Sequence, residues 1–247
     1  MMAGTYSVRL LFSIMEQSIK LKNGLCLYVD SMEQPSIAPW LLAHFSSIKG
    51  KQSLLELCSG NGASSFWCID NGFSGDTVLL DRRESVLRLA EKTIEYKSLS
   101  NVRTCCSTLE QYRADKKYDV VICNPPFFSE AFTSEDDDIR AIRHEEGLTL
   151  DQLCGVVSKA IKQRGHFYLC HIPSRLIDVL KALDDKKFEI KGIRFCRDTS
   201  GALPFLVLID AVFMGGKGVT IYPDFVVKDS SGQYTEEMKE LCERKGI

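Results

Sequence analysis

The sequence predicts a doubly wound α/β fold, built on one sheet of seven mostly parallel strands with the last strand antiparallel. Three observations predict it. Ser53-Leu-Leu-Glu-Leu-Cys58 is a short apolar run that breaks into Ser59-Gly-Asn-Gly62 and then a helix, the strand–turn–helix opening of such a sheet. Asp119-Val-Val-Ile-Cys123 is a second run, β-branched and apolar enough to be covered on both faces. Residues 188–195 and 205–213 are two further runs joined by a loop instead of a helix, so they pair as a final antiparallel hairpin.

The elements follow in chain order. Residues 1–18 show no firm period and read as an arm. Residues 19–28 form two short strands around an Asn23-Gly24 turn, a hairpin signal. Pro39-Trp-Leu-Leu-Ala-His-Phe45 is an apolar helix with Ser36 as its cap. The central strand at Ser53–Cys58 follows, then a helix bearing Phe66, Trp67 and Ile69. Thr77-Val-Leu-Leu80 is the next strand, with Asp81 at its carboxyl end and a helix at 85–96. Val102-Arg-Thr-Cys-Cys106 is the third strand and Asp119–Cys123 the fourth. A long polar connection runs from Phe128 to Gly147. A helix at 148–163 closes on Gly165 as its cap, and His166-Phe-Tyr-Leu-Cys-His-Ile172 is the fifth strand. A helix begins at Pro173-Ser174, and the hairpin follows it. Gly215-Gly-Lys-Gly218 is a basic turn, 220–227 an extended edge segment and 234–241 a terminal helix. The organisation expected is an arm, hairpin and lid helix over 1–50, the main domain over 51–215 and an extension over 216–247 packed on it.

Two corners carry chemistry. The fourth strand ends abruptly, because Asn124 is followed by Pro125 and Pro126, which cannot donate ladder hydrogen bonds and push Asn124 out of the helical region. A polar amide and two rings, Phe127 and Phe128, then sit at the carboxyl end of a central strand, where open α/β sheets place ligands. The Asn124 side chain and the Pro125 carbonyl can accept both hydrogens of a planar exocyclic amine, and Phe127 can stack on its ring. A capped strand end with an aromatic pair has the same appearance. The second corner is Gly60 and Gly62 before a helix amino end, with Asp81 about 20 residues on, where an acid binds ribose hydroxyls. Asp81 is also placed to cap the helix after it. The incomplete glycine fingerprint, with Ser65 at the third position, counts against a hydride-transfer enzyme.

Composition sets bounds. Hydrophobic residues make up 45% and charged residues 26%, with a net charge of −2, so any contact with nucleic acid uses a local patch. Arg140, Arg143 and His144 follow the Asn-Pro-Pro corner by one loop and are candidates to meet phosphates, as is Lys217. Ion pairing with neighbouring acids is the competing use of that cluster. The ten cysteines are scattered, with no C-x-x-C pair, and read as reduced core residues in a cytoplasmic protein. His166 and His171 point to opposite faces of their strand, so no metal site is expected, and no apolar run is long enough for a membrane span.

The motifs together resemble a known family. Asn-Pro-Pro-Phe is the signature of amino-group methyltransferases acting on adenine, cytosine or glutamine nitrogens. The chain resembles the bacterial tRNA1(Val) (adenine(37)-N6)-methyltransferase family through Asn23-Gly-Leu25, Glu56-Leu-Cys-Ser-Gly-Asn-Gly62, Cys123-Asn-Pro-Pro-Phe-Phe128, Arg143-His-Glu145, His171-Ile-Pro-Ser-Arg-Leu176 and Gly232-Gln-Tyr-Thr-Glu236. The resemblance implies a Rossmann-like class I methyltransferase fold, S-adenosyl-L-methionine as cofactor and tRNA as partner, in a monomer or weak homodimer. It implies that Glu56, Ser59, Gly60, Asn61 and Gly62 hold the methionine end, Asp81 the ribose, with Arg82 and Thr108 beside the adenine. It further implies that Asn124, Pro125, Pro126 and Phe127 hold the target amine and its ring, with Asn124 also against the cofactor and Phe128 against the substrate RNA. Two positions depart from the family: Ala38 stands at a usually acidic position, and Ser107-Thr108 where an acid is common. The same corner also serves N5-methylation of a protein glutamine, methylation of a ribosomal RNA adenine, or a degenerate domain that only binds RNA.

Overall fold

Side chains on successive strand residues point to opposite faces, so a strand with no polar alternation must be covered on both sides. Val120, Val121, Ile122 and Cys123 are all essentially inaccessible, and so are Leu54, Leu55 and Leu57. The computed structural model describes residues 17–30, 34–125 and 149–245. Its order is β1 (Gln17–Lys20), β2 (Cys26–Val29), α1 (Ala38–Phe45), β3 (Leu54–Leu57), α2 (Ala63–Asp70), β4 (Thr77–Asp81), α3 (Glu84–Lys97), β5 (Val102–Cys106) and β6 (Tyr118–Cys123). After the undescribed stretch come α4 (Leu150–Ala160), β7 (Ile161–His171), α5 (Leu176–Asp185), β8 (Phe188–Thr199), β9 (Leu206–Phe213), β10 (Thr220–Ile221), β11 (Phe225–Lys228) and α6 (Glu236–Lys245).

The main sheet has the order β10-β8-β9-β7-β6-β3-β4-β5, and β11 also pairs with β8. The seven expected strands are β3 to β9. Among the described residues the sheet has nine, because the extended segment after Gly218 supplies two short strands that run parallel along the outer edge of β8. Strands β3 to β7 pair in parallel, and β9 runs antiparallel between β7 and β8. Strand order turns around between β3 and β6, so their carboxyl ends open side by side at the switch point of the sheet. One face, with Leu54, Leu79, Val120, Ile122 and Cys170, packs against α1, α2 and the small hairpin. The other, with Leu55, Leu57, Val121, Phe167 and Leu169, packs against α4 and α5.

The small hairpin is joined to this body by polar contacts. Strands β1 and β2 pair antiparallel around Gly24, whose φ is 91°. The Asp70 carboxylate at the end of α2 accepts the Asn23 and Leu25 amides at 2.8 and 2.9 Å, and Thr93 Oγ1 of α3 accepts the Tyr28 amide at 3.1 Å. At the other end of the chain, Arg194 of β8 donates to both Glu237 oxygens at 2.7 Å, and His44 Nε2 of α1 lies 3.3 Å from Glu237, so α6 is held to the same sheet and helix.

Three local expectations change. Helix α4 starts at Thr149, whose hydroxyl and Gln152 form a reciprocal capping box, and it stops at Ala160 instead of reaching Gln163. Gly165 is therefore no helix cap. It lies inside β7 in a bulge, where Tyr118 opposes Ile161 but Val120 opposes His166, and Arg164 takes a φ of 62°. A Cβ on Gly165 would come within 2.9 Å of the Asp119 carbonyl, so glycine serves close backbone approach here. Ser36 is not the α1 cap: that residue is Ile37, and Ser36 Oγ accepts only the Ala38 amide, at 3.4 Å.

Candidate active site

The site is assembled at the carboxyl ends of β3, β4, β5 and β6. Pairing of Leu57 with Cys123 means that Cys58 and Asn124 leave the sheet next to each other. The chain after β3 bends at once. Cys58 has a φ of 53°, Gly60 54° and Gly62 81°. A Cβ at Gly62 would strike Leu79 and Phe66 at 2.8 Å, so that position excludes any side chain. Among the described residues a Cβ at Gly60 would meet nothing within 4 Å, so none of them fills the space above the turn. The Ser59 amide donates to the Leu80 carbonyl at 2.9 Å and Asn61 Nδ2 to the Tyr28 carbonyl at 3.1 Å, so the turn is tied to β4 and to the hairpin.

Glu56 of β3 is buried against the start of α2. It is 3% exposed, and its carboxylate accepts the Ser65 amide in the first turn of α2 at 3.0 Å, with the Ser64 and Ser65 side chains beside it. Burial pushes its pKa up to about 7 against these hydrogen bonds. Asp81 ends β4 and is buried. Its Oδ2 accepts the Gly60 amide at 2.8 Å and its Oδ1 the Arg83 amide at 3.0 Å. The residue preceding α3 is Arg83, without a side-chain cap, so Asp81 braces the turn before the helix and does not cap it. Arg82 is exposed beside it, and its carbonyl lies 3.7 Å from Cys106 Sγ. The Ser107 amide donates to the Asp81 carbonyl at 3.1 Å. Thr108 opens the turn after β5, with its carbonyl accepting the Tyr112 amide at 3.0 Å and its hydroxyl the Gln111 amide at 3.4 Å.

Asn124 is half-buried and Pro125 buried at the end of β6. Asn124 Oδ1 accepts the thiol of Cys170, on the neighbouring strand, at 3.1 Å. Pro126, Phe127, Phe128, Arg140, Arg143 and His144 lie outside the described residues. Lys217 is exposed but follows β9, which runs away from Asn124, so the fold puts it towards the opposite end of the sheet. A cavity of about 550 Å³ also lies at that opposite end, lined by Lys51, Lys116, Lys117, Lys162, Asp76 and Asp119. Among the described residues no helix is long and apolar enough to cross a membrane, and no cluster of three metal-binding side chains occurs. All ten cysteines are free.

Cys170, Asp70 and Tyr28 support the site and are not apparent from motifs. A cysteine in a strand and an aspartate at a helix end carry no spacing signal. The residues present fit a nucleoside-bearing cofactor, since an open glycine turn at a helix amino end stands one strand away from a buried carboxylate.

Residues 36–145 match the family model of the methyltransferase small domain. The chain is 23% identical over 205 residues to a tRNA1(Val) (adenine(37)-N6)-methyltransferase of Bacteroides thetaiotaomicron, a match covering 81% of this chain and 85% of that one. It is 26% identical over 140 residues to the protein of the same name from Cytophaga hutchinsonii, covering 55% of this chain and 57% of its relative. The structure superposes on that of a predicted O-methyltransferase of Agrobacterium tumefaciens with a TM-score of 0.68 at 14% identity, covering 84% and 96% of the two chains. Residues 36–145, somewhat less than half of the chain, thus match a methyltransferase small domain, and over most of its length the chain has the same fold as the Agrobacterium structure on which it superposes.

Proposed function

We propose that the protein transfers a methyl group from S-adenosyl-L-methionine to the exocyclic N6 amine of an adenine in tRNA, adenine 37 of the anticodon loop. The observation that carries the reading is the Asn124-Pro125 corner at the end of β6, beside the glycine turn after β3. The names of the relatives supply the choice of tRNA.

When bound, S-adenosylmethionine supplies a methyl group on a sulfonium, a strong electrophile. Ser59, Gly60, Asn61 and Gly62 line its cradle, and Glu56 braces that cradle from behind through Ser65. Asp81 holds the ribose hydroxyls, with Arg82 at the rim. Asn124 Oδ1 and the Pro125 carbonyl accept the two hydrogens of the target amine and turn its lone pair towards the methyl group. Phe127 stacks on the extruded base, a contact worth roughly 1–3 kcal/mol. Bound there, the cofactor would supply its methyl group to the amine nitrogen and be left as the neutral thioether, and the amine would lose its proton to water, so no general base is assigned. Positioning supplies most of the rate. A base in a single-stranded loop costs least to extrude, which favours an anticodon-loop target.

The test is incubation of the purified protein with labelled cofactor and tRNA from cells lacking the enzyme, followed by digestion to nucleosides. Labelled N6-methyladenosine is the expected product. Label found only in protein glutamine or only in ribosomal RNA would replace the tRNA reading with one of the other acceptors of the same corner.

A further inference from the structure

We propose that Cys170 is a positioning residue for methyl transfer: its thiol holds the Asn124 amide in the orientation that presents Oδ1 to the target amine. The inference rests on the methyl-transfer reading above. An asparagine amide has two nearly isosteric orientations about its last torsion, and only one places the oxygen where an amine can donate to it. Something must choose between them. Among the described residues, the one hydrogen-bond partner of the Asn124 side chain is Cys170, with Sγ 3.1 Å from Oδ1.

The placement of Cys170 is fixed by the sheet. Cys123 opposes Leu169 in the parallel pairing of β6 with β7, so the next residues, Asn124 and Cys170, stand side by side on the same face. Cys170 is inaccessible to solvent and lies in the core with Cys196, Leu206 and Leu208. Burial holds the thiol well above its ordinary pKa, so it keeps its proton and acts as a donor. A carbonyl oxygen accepts two hydrogen bonds, and the thiol occupies one. The second remains for the amine. Were the amide reversed, Nδ2 would meet the amine donor to donor, and the thiol would lose its acceptor.

The test compares wild type with Cys170→Ala, Cys170→Val and Cys170→Ser, with thermal melting to establish that each variant is folded. Cys170→Ala and Cys170→Val should lower kcat about fivefold, the size of one weak net hydrogen bond, with KM for tRNA and the cofactor Kd within about twofold of wild type. Cys170→Ser should recover kcat to within about twofold, because its hydroxyl donates the same bond. A Cys170→Ala enzyme with wild-type kcat, or a serine variant as slow as alanine, overturns the proposal. A second readout needs no turnover. The Cys170 S–H stretching band, isolated by infrared difference against Cys170→Ala, should lie at bonded frequency in wild type and move up in Asn124→Ala. An unmoved band overturns the hydrogen bond itself. A band that moves in a protein that methylates no RNA sinks the substrate reading and leaves the anchoring of Asn124 standing.

Discussion

The Asp81 carboxylate accepts the Gly60 amide at 2.8 Å, which ties the carboxyl end of β4 to the glycine turn that follows β3. The same group therefore shapes the cradle and, in the proposed function, also holds the ribose hydroxyls. Asp81→Ala loses both. It should weaken cofactor binding about 10- to 100-fold, the worth of one charged hydrogen bond. Isothermal calorimetry reads the change directly, and an unaltered Kd would restrict Asp81 to bracing the turn.

Asn124→Ala separates binding from chemistry. The hydrogen bond that holds the amide comes from Cys170, outside the cofactor cradle, so the cofactor Kd should stay within about threefold of wild type. Methyl transfer should fall by at least about a hundredfold, because the amine loses one of its two orienting acceptors. Single-turnover transfer of labelled methyl groups measures it. A variant that transfers at the wild-type rate would remove the Asn-Pro-Pro corner from the mechanism.

Glu56 predicts a pH dependence of stability. Its folded pKa is about 7 against an ordinary 4.5, so the folded chain holds a proton that the unfolded chain has released between those values. Stability should fall as pH rises from 4.5 to 7, by at most about 3 kcal/mol, and level off above that. Glu56→Gln keeps the acceptor for the Ser65 amide without the charge. Its melting temperature should exceed wild type at pH 8 and match it near pH 4.5. Parallel stability curves for the two proteins across that range would contradict the assignment.

His171 works in the opposite sense. Burial lowers its pKa from 6.5 to about 4, and its Nδ1 accepts the Ile172 amide at 2.9 Å, so the folded state favours the neutral ring. The stability this represents is complete above pH 6.5 and is lost as pH falls towards 4. His171→Asn, which removes the titrating ring, should show a shallower acid limb in chemical denaturation than wild type. An acid limb of equal steepness would assign the loss to other groups.

Asp70 anchors the hairpin. Asp70→Ala would strip acceptors from the Asn23 and Leu25 amides, the second of them fully buried. The cost should be about 3–6 kcal/mol in urea unfolding, for two bonds to a charged group. A loss under about 0.5 kcal/mol, the scale of an ordinary surface substitution, would mean that the hairpin is held by its apolar contacts alone.

The sheet was legible in the sequence because its strands are covered on both faces. Runs such as Val120–Cys123 leave no polar alternation to confuse with a surface strand or a helix. The Asn-Pro-Pro break and the glycine turn were legible because prolines and glycines state backbone conformation directly. The end of α4 was not. Residues 157–163 keep helical spacing past Ala160, and only the pairing of Ile161 with Tyr118, a long-range contact, pulls them into β7. Gly165 misled for the same reason, since a glycine after a helical pattern looks like a cap whether or not a neighbouring carbonyl requires it. The position of Lys217 depended on the direction of β9, which composition does not encode. Cys170 was hidden because a buried cysteine in a strand is the commonest kind of cysteine.

The bulge in β7 has a consequence for how the gene can vary. The five steps along the chain from Ile161 to His166 are matched by only two, from Tyr118 to Val120, so the surplus is carried outside the regular ladder. A length change at 162–164 can be absorbed there without moving residues 167–171 against β6. One residue gained or lost after His166 would instead invert the faces of the rest of the strand and carry Cys170 away from Asn124. Insertions and deletions should therefore collect on the near side of His166 and be purged on the far side, so that the bulge acts as a tolerance joint for the alignment on which the site depends.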